Sequence, residues 1–377
     1  MRIATFQLRP RLGDVEGNIR RADVLIGKLE RMLQGNDKSK GLDLLVLPEM
    51  AFSGYNFPSL KAVRPYLEPS EAGPSARWAR SVAQKLGSVV AVGYPEICPS
   101  IQGKSPLQGN TEGNGAQSED EHRFNSLIVV KESGETLVNY RKHHLYYTDD
   151  PWAHEGESHE SGFFSMPLAT AALPQKISRD SNGSVPDMPS FPRNEIPTTV
   201  GICMDINPYK FIAPYSACEF ATHARSSGAK LVIVSMAWLT LLDSEDLATM
   251  KDKPDMDTFQ YWITRFAPLF LPDEEAVEVD DEDGHGEKAK PQVIIVFANR
   301  AGEEEGLEGK DTARYAGSSS VVGIRRRPRK VGEEAEAGDE GVDKVEILIW
   351  DILGAAEEGI CFVDTDSTPR MVGAVQI

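Results

Sequence analysis

The chain has 377 residues, of which 40% are hydrophobic and 26% charged, and its formal net charge is -18. This length and composition can bury a sizeable core, which indicates a globular protein of one large domain or two ordinary ones. The negative charge argues against nucleic-acid and membrane partners, because both present anionic surfaces. No apolar stretch approaches the length needed to span a bilayer.

The cysteines indicate a reducing compartment. All four, at positions 98, 203, 218 and 361, are widely spaced and form no CxxC pair. This spacing argues against a disulfide framework and against a thiolate zinc site. The N-terminus lacks a basic region followed by a long apolar core. We therefore expect a cytoplasmic protein, with the nucleus as an alternative because of the basic run at 325–330.

Strands and helices alternate along the predicted chain. Short apolar runs predict strands, and apolar residues at spacings of three and four predict helices. The first half is predicted to form strands over 2–8 and 42–49, helices over 18–33 and 74–86, and strands over 88–95, 126–130 and 135–140. The second half is predicted to form strands over 198–203 and 230–238, helices over 213–226 and 258–269, and late strands over 292–300, 318–324, 345–352 and 359–364. This order predicts an α/β fold.

Polar tracts interrupt the alternation. Residues 99–122 are rich in Gly, Ser and Asn, and nine of the fifteen residues from Asp273 to Glu287 are acidic. Such tracts cannot bury enough apolar area to order themselves. We predict a single domain over residues 1–377 with flexible insertions at 99–122, 273–290 and 331–343.

Reactive residues follow four of the predicted strands. They are Glu49, Lys142, Cys203 and Trp238. The carboxyl ends of strands surround the crevices of open α/β sheets, so these positions are where ligands bind. Each residue alone has an ordinary explanation, as a helix cap, a surface ammonium, a buried thiol or a core aromatic ring. Their common position at strand ends favours one joint site.

Glu49, Lys142 and Cys203, here called the candidate triad, form a chemically complete set for cleaving an amide. A carboxylate can take the thiol proton and later give it to a leaving amine. A lysine ammonium can hold the developing oxyanion. His143 and His144 follow the lysine, and we interpret them as part of its strand-end motif rather than as partners of the thiol.

Three stretches resemble motifs of the nitrilase, or carbon-nitrogen hydrolase, superfamily. VLPEMAFSGY at 46–55, NYRKHHLYYTDD at 139–150 and GICMDINPY at 201–209 are similar to its glutamate, lysine and cysteine motifs, in the same order. VFANRAG at 296–302 and YAGSSSVV at 315–322 resemble two of its later strands. The resemblance implies an α/β fold, namely a nitrilase-like four-layer α-β-β-α sandwich with two packed mixed sheets.

The cysteine motif resembles the fungal protein N-terminal amidase branch, which removes the side-chain amide from N-terminal Asn or Gln. The broader family usually has an arginine four residues after the cysteine, where this chain has Asn207. The difference argues against the ω-amidase and carbamoylase branches. The resemblance therefore implies peptide and protein substrates and a place in the N-degron pathway. The alternatives are a small-molecule ω-amidase or aliphatic amidase of the same fold, and a catalytically idle binder of N-terminal residues.

The resemblance also implies individual roles. Glu49 would be the general base and acid, Lys142 an oxyanion donor, Cys203 the nucleophile, and the backbone N–H of Met204 the second oxyanion donor. A second glutamate, which orients the lysine in many members, would be Glu155, with Glu157 as its rival. No metal or organic cofactor is implied. Homodimers are common in the superfamily, and whether this chain forms one stays open.

The free α-amino group of such a substrate is a cation and should meet a carboxylate. The candidates are Asp149, Asp150, Asp205 and Glu219, and Asp205 has the alternative of being a structural acid common to the superfamily. Tyr55 and Trp238 are candidates to line the pocket, although aromatic residues at strand ends are usually core. Asn207 is a candidate to read the amide, although Asn-Pro is also an ordinary turn signal.

Overall fold

The computed structural model describes residues 1–35, 41–99, 121–168, 194–271, 291–327 and 344–375. The three predicted insertions lie outside the described residues except at their edges, so their predicted flexibility stays a prediction. Across the described ranges, no helix combines the length and the apolar character needed to cross a membrane.

The described residues form sixteen strands and six α-helices. The strands are β1 Arg2–Gln7, β2 Leu44–Val46, β3 Glu68–Pro69, β4 Val89–Pro99, β5 Glu121–Val130, β6 Thr136–Arg141, β7 Phe163–Pro167, β8 Glu195–Ile202, β9 Leu231–Ser235, β10 Val293–Ala298, β11 Ala301–Glu304, β12 Ala313–Ala316, β13 Ser320–Arg327, β14 Lys344–Ile352, β15 Gly359–Asp364 and β16 Met371–Val375. The α-helices are α1 Val15–Gly35, α2 Leu60–Val63, α3 Pro74–Leu86, α4 Glu219–Ser226, α5 Ser244–Thr249 and α6 Met256–Thr264. Single 3-10 turns cover Arg64–Tyr66, His159–Gly162, Cys203–Ile206, Tyr209–Phe211 and Ala267–Phe270.

Two mixed seven-stranded sheets dominate the fold. The first has the strand order β15-β1-β2-β4-β5-β6, with β3 also paired to β4. The second has the order β16-β14-β13-β10-β9-β8-β7. Each sheet has parallel strands in its middle, β1-β2-β4 in one and β8-β9-β10 in the other, and antiparallel strands outside them. A small third sheet pairs β11 with β12.

Side-chain alternation in the first sheet builds the layers. Ala4 and Leu45 face a core that contains the inner faces of α1 and α3. Their neighbours Ile3 and Val46 face a second core that contains the other sheet together with α4 and α6. Because successive residues of a strand point to opposite faces, one sheet covers both cores. The expected α-β-β-α sandwich is confirmed.

The predicted strands and helices are present, with shifted ends. The predicted helix over 213–226 begins only at Glu219, because Cys218 has a left-handed backbone with φ 44°. The predicted helix over 258–269 runs instead from Met256 to Thr264. Pro268 explains its earlier end, since proline has no N–H and clashes with the carbonyl four residues before it.

Candidate active site

The candidate triad is assembled by strands from both sheets. Glu49 lies three residues after β2, Lys142 directly follows β6, and Cys203 directly follows β8. The backbone after β2 is packed tightly against β4. A Cβ atom at Gly93 would lie 2.7 Å from the Cα of Glu49, so only glycine allows this approach. The turn that presents Glu49 therefore depends on a residue in the neighbouring strand.

Lys142 is the centre of a fully buried ion cluster. Its Nζ donates to Glu49 Oε1 and to Asp149 Oδ2, each at 2.6 Å, and all three side chains have 0% exposure. Burial opposes the charge of the ammonium group, but the two carboxylates outweigh it and raise the pKa of Lys142. The lysine stays protonated, and its third N–H is left over for another acceptor.

Glu49 is held by three donors. Its Oε1 also accepts from Asn125 Nδ2 at 2.6 Å, and its Oε2 accepts from the backbone N–H of Ala237 at 2.6 Å. Burial is the main cause that raises the pKa of Glu49, and the charge of Asp149 adds to it, while Lys142 acts in the opposite direction. A carboxylate with a raised pKa is suited to accept and return a proton near neutral pH.

Cys203 lies on a sharp turn between β8 and a single 3-10 turn. Its φ is 44°, a left-handed conformation that costs a non-glycine residue on the order of 1–3 kcal/mol. The side chain is 7% exposed. Burial raises the pKa of the thiol well above its usual value, and the charge of Glu49 adds to this effect. The resting thiol is therefore protonated and needs a base.

Asp149 and Asn125 complete the cluster, and neither was predicted to have this role. Asp149 Oδ2 accepts from Lys142, from Tyr55 OH at 3.2 Å and from the backbone N–H of Tyr146 at 3.0 Å. Asn125 Nδ2 donates both to Glu49 and, at 3.0 Å, to Asp149 Oδ1. The one available signal for Asn125 was a polar residue inside the buried strand β5.

Glu155 does not orient Lys142, and this expectation is corrected. Its carboxylate pairs with Lys210 Nζ at 3.0 Å and accepts from Tyr209 OH at 2.9 Å, with one third of the side chain exposed. The rival Glu157 is exposed. Asp149, which occurs earlier on the same loop, contacts the lysine instead. Sequence spacing to the next strand could not separate the carboxylates of this loop.

Asp205 is a structural acid, so its placement in substrate binding is also corrected. Its Oδ1 accepts from the backbone N–H groups of His143 and His144, at 3.1 and 2.8 Å. Its Oδ2 accepts from Tyr140 OH at 2.9 Å and from the backbone N–H of Ile202 at 2.7 Å. These four bonds tie the lysine loop to the cysteine turn.

The side chain of Asn207 is also engaged inside the protein. Its Oδ1 accepts from Tyr261 OH at 2.6 Å, and its Nδ2 lies 3.1 Å from the sulfur of Met204. Trp238 is half-buried beside Tyr261, with ring centroids 5.6 Å apart. The tryptophan thus lies close to the cysteine turn, and its predicted place in the pocket wall stays a prediction, whereas Asn207 supports that turn.

The remaining candidates differ in burial, because Tyr55 and Met204 are buried and Asp150 is exposed. Tyr55 is buried, with its ring centroid 5.5 Å from Lys142 Nζ. Met204 is buried in the first turn after the nucleophile, where helical N–H groups lack acceptors within the turn. Asp150 is exposed next to the buried cluster. Its pKa is raised by burial and by the charge of Asp149, while Lys210 lowers it.

A second buried ion pair lies next to the first cluster and supports it. Arg300, from the VFANRAG stretch at 296–302, donates to Glu304, and the two side chains are 0% and 1% exposed. Glu304 Oε2 also accepts from the backbone N–H groups of Tyr55 and Asn56, each at 3.0 Å, and from Tyr315 OH at 2.6 Å. This pair fixes the backbone of Tyr55, whose hydroxyl holds Asp149.

Solved structures support the fold. A crystal structure of N-terminal amidase with an Asn-Glu-Ala peptide superposes with a TM-score of 0.63 and 22% sequence identity, and covers 96% of this chain and 97% of that one. At this identity the likeness concerns the fold. These structures therefore support the four-layer sandwich, in which Glu49, Lys142 and Cys203 follow strands of both sheets.

The chain matches the carbon-nitrogen hydrolase family over residues 2–212 and belongs to that family. A protein N-terminal amidase of Schizosaccharomyces pombe is 27% identical over 355 residues, which are 91% of this chain and 98% of that protein. A protein N-terminal amidase of Saccharomyces cerevisiae is 28% identical over 251 residues. That match spans 66% of this chain and about half of the relative, 47%.

Proposed function

We propose that this protein is a protein N-terminal amidase, which hydrolyses the side-chain amide of N-terminal Asn or Gln to Asp or Glu and releases ammonia. The observation that carries the proposal is the buried cluster of Glu49, Lys142 and Asp149 beside Cys203 in a carbon-nitrogen hydrolase. The near full-length similarity to a yeast protein N-terminal amidase supports the substrate class.

The first step is attack by Cys203 on the carboxamide carbon. The resting thiol is protonated, so its proton passes to Glu49 as the carbon–sulfur bond forms. Burial and the charge of Glu49 raise the pKa of the thiol, which makes this transfer necessary. Burial and, to a smaller extent, the charge of Asp149 raise the pKa of Glu49, which makes it a better acceptor for the proton.

Lys142 stabilises the oxyanion that forms on the amide oxygen. Two of its three N–H donors are directed at Glu49 and Asp149, and the third would meet the oxyanion. The backbone N–H of Met204 would be the second donor. The ammonium charge lies in a water-excluded site, where electrostatic stabilisation is strongest.

Collapse of the tetrahedral intermediate breaks the carbon–nitrogen bond. Glu49 gives its proton to the departing ammonia, and a thioester to Cys203 remains. Glu49 then removes a proton from water, which attacks the thioester. The carbon–sulfur bond breaks, the thiol is restored, and Asp or Glu is left at the N-terminus.

The substrate's α-amino group is a cation, and two of the four candidate carboxylates remain for it. Asp149 and Asp205 have their oxygens engaged inside the protein. Asp150 is exposed next to the cluster. Within the described residues, Glu219 Oε2 has no hydrogen-bond partner. We assign the amine to Asp150, with Glu219 as the alternative.

Exposed apolar side chains near the cysteine turn would contact the peptide beyond its first residue. Tyr147, Phe211, Ile212 and Tyr215 are 66%, 48%, 84% and 55% exposed. The rings of Tyr147 and Phe211 lie 6.2 Å apart, one on the loop after Lys142 and the other after Cys203. Their position on both loops supports a peptide rather than a free amino acid as substrate.

The proposed product would expose a new N-terminal Asp or Glu and so feed the N-degron pathway. A cytoplasmic location, with the nucleus as the alternative, belongs to the same proposal. The proposal extends to peptides and proteins as partners and excludes nucleic acid and membranes. Whether the chain forms a homodimer stays open.

Ammonia release and mass shift from a matched substrate set test the proposed function. The set holds an Asn-peptide, a Gln-peptide, the N-acetylated Asn-peptide, free asparagine and free glutamine. We expect conversion of only the two peptides with a free amine. Preferred turnover of the free amino acids or of the acetylated peptide would indicate a small-molecule amidase instead, and no turnover would favour an idle binder.

A further inference from the structure

Three histidines converge behind the lysine loop, and the proposed amide chemistry uses none of their side chains. In this imidazole cluster (His143, His144 and His159), one possible ligand atom from each ring lies within 4.8 Å of the others. The ring centroids are 4.7–5.2 Å apart. The first two histidines directly follow Lys142, and the third begins the 3-10 turn before β7.

Hydrogen bonds determine the tautomer of the first two rings. His143 Nδ1 lies 2.9 Å from the carbonyl oxygen of Gly156, and His144 Nδ1 lies 3.0 Å from that of Asn207. A carbonyl oxygen only accepts, so each Nδ1 carries the proton. The Nε2 atoms of the neutral rings therefore hold a lone pair.

The tautomer of His159 is determined in the same way, through a tyrosine hydroxyl. Tyr140 OH donates to Asp205 Oδ2 at 2.9 Å, so its oxygen accepts the proton of His159 Nδ1, 3.3 Å away. His159 is only 7% exposed. In the described part of the chain, its Nε2 has no hydrogen-bond partner. A buried nitrogen lone pair without a donor is unfavourable unless something binds it.

This pattern is the one found around metal-binding histidines. Such histidines donate their other ring N–H to a carbonyl oxygen, a carboxylate or water, which fixes the ring and raises its basicity. The Asp205 carboxylate reaches the third ring through Tyr140 in the same way. At a tetrahedral ion with nitrogen ligands at about 2.0–2.1 Å, the nitrogens lie roughly 3.4 Å apart. Small ring rotations would close the cluster to that distance.

The charge beside the cluster also suits a cation. The Asp205 carboxylate supplies a nearby negative charge. Neutral imidazole is a ligand that Zn²⁺ and other late transition metals prefer.

We propose that the imidazole cluster binds one divalent transition-metal ion, best Zn²⁺, through the three Nε2 atoms, with water in the fourth position. The ion would join the start of the Lys142 loop to its end at His159. It would clamp the loop that carries Asp149. No described contact joins the three rings to Cys203, so the ion positions the loop and takes no part in the reaction.

Metal titration of the full-length protein, first freed of metal with a chelator, tests this proposal. Zn²⁺ is added with calorimetry and melting temperature as readouts, and Co²⁺ with its visible spectrum. The variants are His143→Gln, His159→Gln and, as matched control, His122→Gln. His122 belongs to a pair with His154, ring centroids 5.3 Å apart, that has no third ligand among the described residues. Cys203→Ser separately removes the thiol as an adventitious ligand.

We expect one ion per chain for the wild type, the His122→Gln control and the Cys203→Ser variant, with a higher melting temperature and no thiolate-to-Co²⁺ absorption. Each cluster variant should weaken binding at least about tenfold. Half-buried His143 gives the variant with the smallest risk to folding. Absence of stoichiometric binding, unchanged affinity in His143→Gln, or loss of binding in Cys203→Ser would overturn the proposal.

Discussion

Two fully buried ion clusters lie next to each other and differ in what surrounds them. Lys142 is held by the side chains of Glu49 and Asp149, and this cluster borders the Cys203 thiol. Arg300 is held by Glu304, whose carboxylate is otherwise bonded to backbone N–H groups and a tyrosine hydroxyl. The first cluster has one ammonium against two carboxylates, and the second is a matched pair.

This difference separates reactive charges from structural ones. Burial keeps the pKa of Glu49 and of Cys203 raised, and the negative charges of the cluster add to this effect, so protons can move between the two groups. The matched pair of Arg300 and Glu304 is bonded to the backbone and fixes its geometry. Tyr55 links the clusters, because Glu304 holds its backbone and its hydroxyl holds Asp149.

The largest effect should come from removing the cation of the cluster formed by Glu49, Lys142 and Asp149, here called the reactive cluster. Lys142→Met should lower kcat about 100- to 1000-fold, because one oxyanion donor is lost. It should also lower stability, since two buried carboxylates are left without a counterion. Ammonia release and thermal melting measure both. The same substitution at exposed Lys85 is the control, and a kcat within tenfold of wild type would remove Lys142 from the chemistry.

Breaking the matched pair of Arg300 and Glu304 should lower stability and leave the reaction rate unchanged. Glu304→Gln leaves the buried Arg300 uncompensated and should cost about 3–5 kcal/mol of unfolding free energy. Denaturant unfolding measures this, with kcat determined on the folded protein and expected to stay close to wild type. Glu30→Gln, in an exposed pair with Lys85, should cost less than about 1 kcal/mol. A large fall in kcat with unchanged stability would show that both clusters are catalytic.

The pH profile of activity should respond to the charge of Asp149, the third member of the reactive cluster. Glu49 acts as a base in the free enzyme, so the acid limb of kcat/KM reports its pKa. Asp149 raises that pKa, and Asp149→Asn should therefore move the acid limb to lower pH. Asp257→Asn, an exposed change on α6, should leave it in place. An acid limb that stays or rises in Asp149→Asn would mean that another group controls activity.

The smallest effect is expected at Glu155. It pairs with the half-exposed Lys210, and Glu155→Gln should change kcat by no more than about threefold, because such pairs are worth about 0.2–1 kcal/mol. Steady-state kinetics with an Asn-peptide measures it. A 100-fold fall in kcat would restore the role that sequence spacing assigned to this residue and would make Asp149 secondary.

The α/β class of the fold was predictable because its signals were local, and the four-layer arrangement was implied by the family resemblance. Apolar runs marked the buried strands, and the motifs around Glu49, Lys142 and Cys203 marked the ends of β2, β6 and β8. The starts and ends of helices were less predictable, since Cys218 adopts a left-handed backbone, a conformation that favours glycine. Short pairs such as β11 with β12 lack the apolar pattern that marks a central strand.

The partners of the candidate triad depended on three-dimensional contacts. Asp149 and Glu155 lie on one loop, and only folding decides which carboxylate reaches Lys142. Asn125 comes from an adjacent strand, and Glu304 reaches Tyr55 from 249 residues away. No spacing rule encodes such pairs, because the turn geometry and the packing of both sheets set the distances.

The most direct measurement is the mass of the protein caught during turnover. Rapid acid quenching of the enzyme with an Asn-peptide, followed by mass spectrometry of the intact chain and its fragments, would locate a thioester. We expect an adduct equal to the peptide less ammonia on the fragment that contains Cys203, and neither adduct nor ammonia release in Cys203→Ala. Ammonia release by that variant, or an adduct on another residue, would contradict the assignment of Cys203 as the nucleophile.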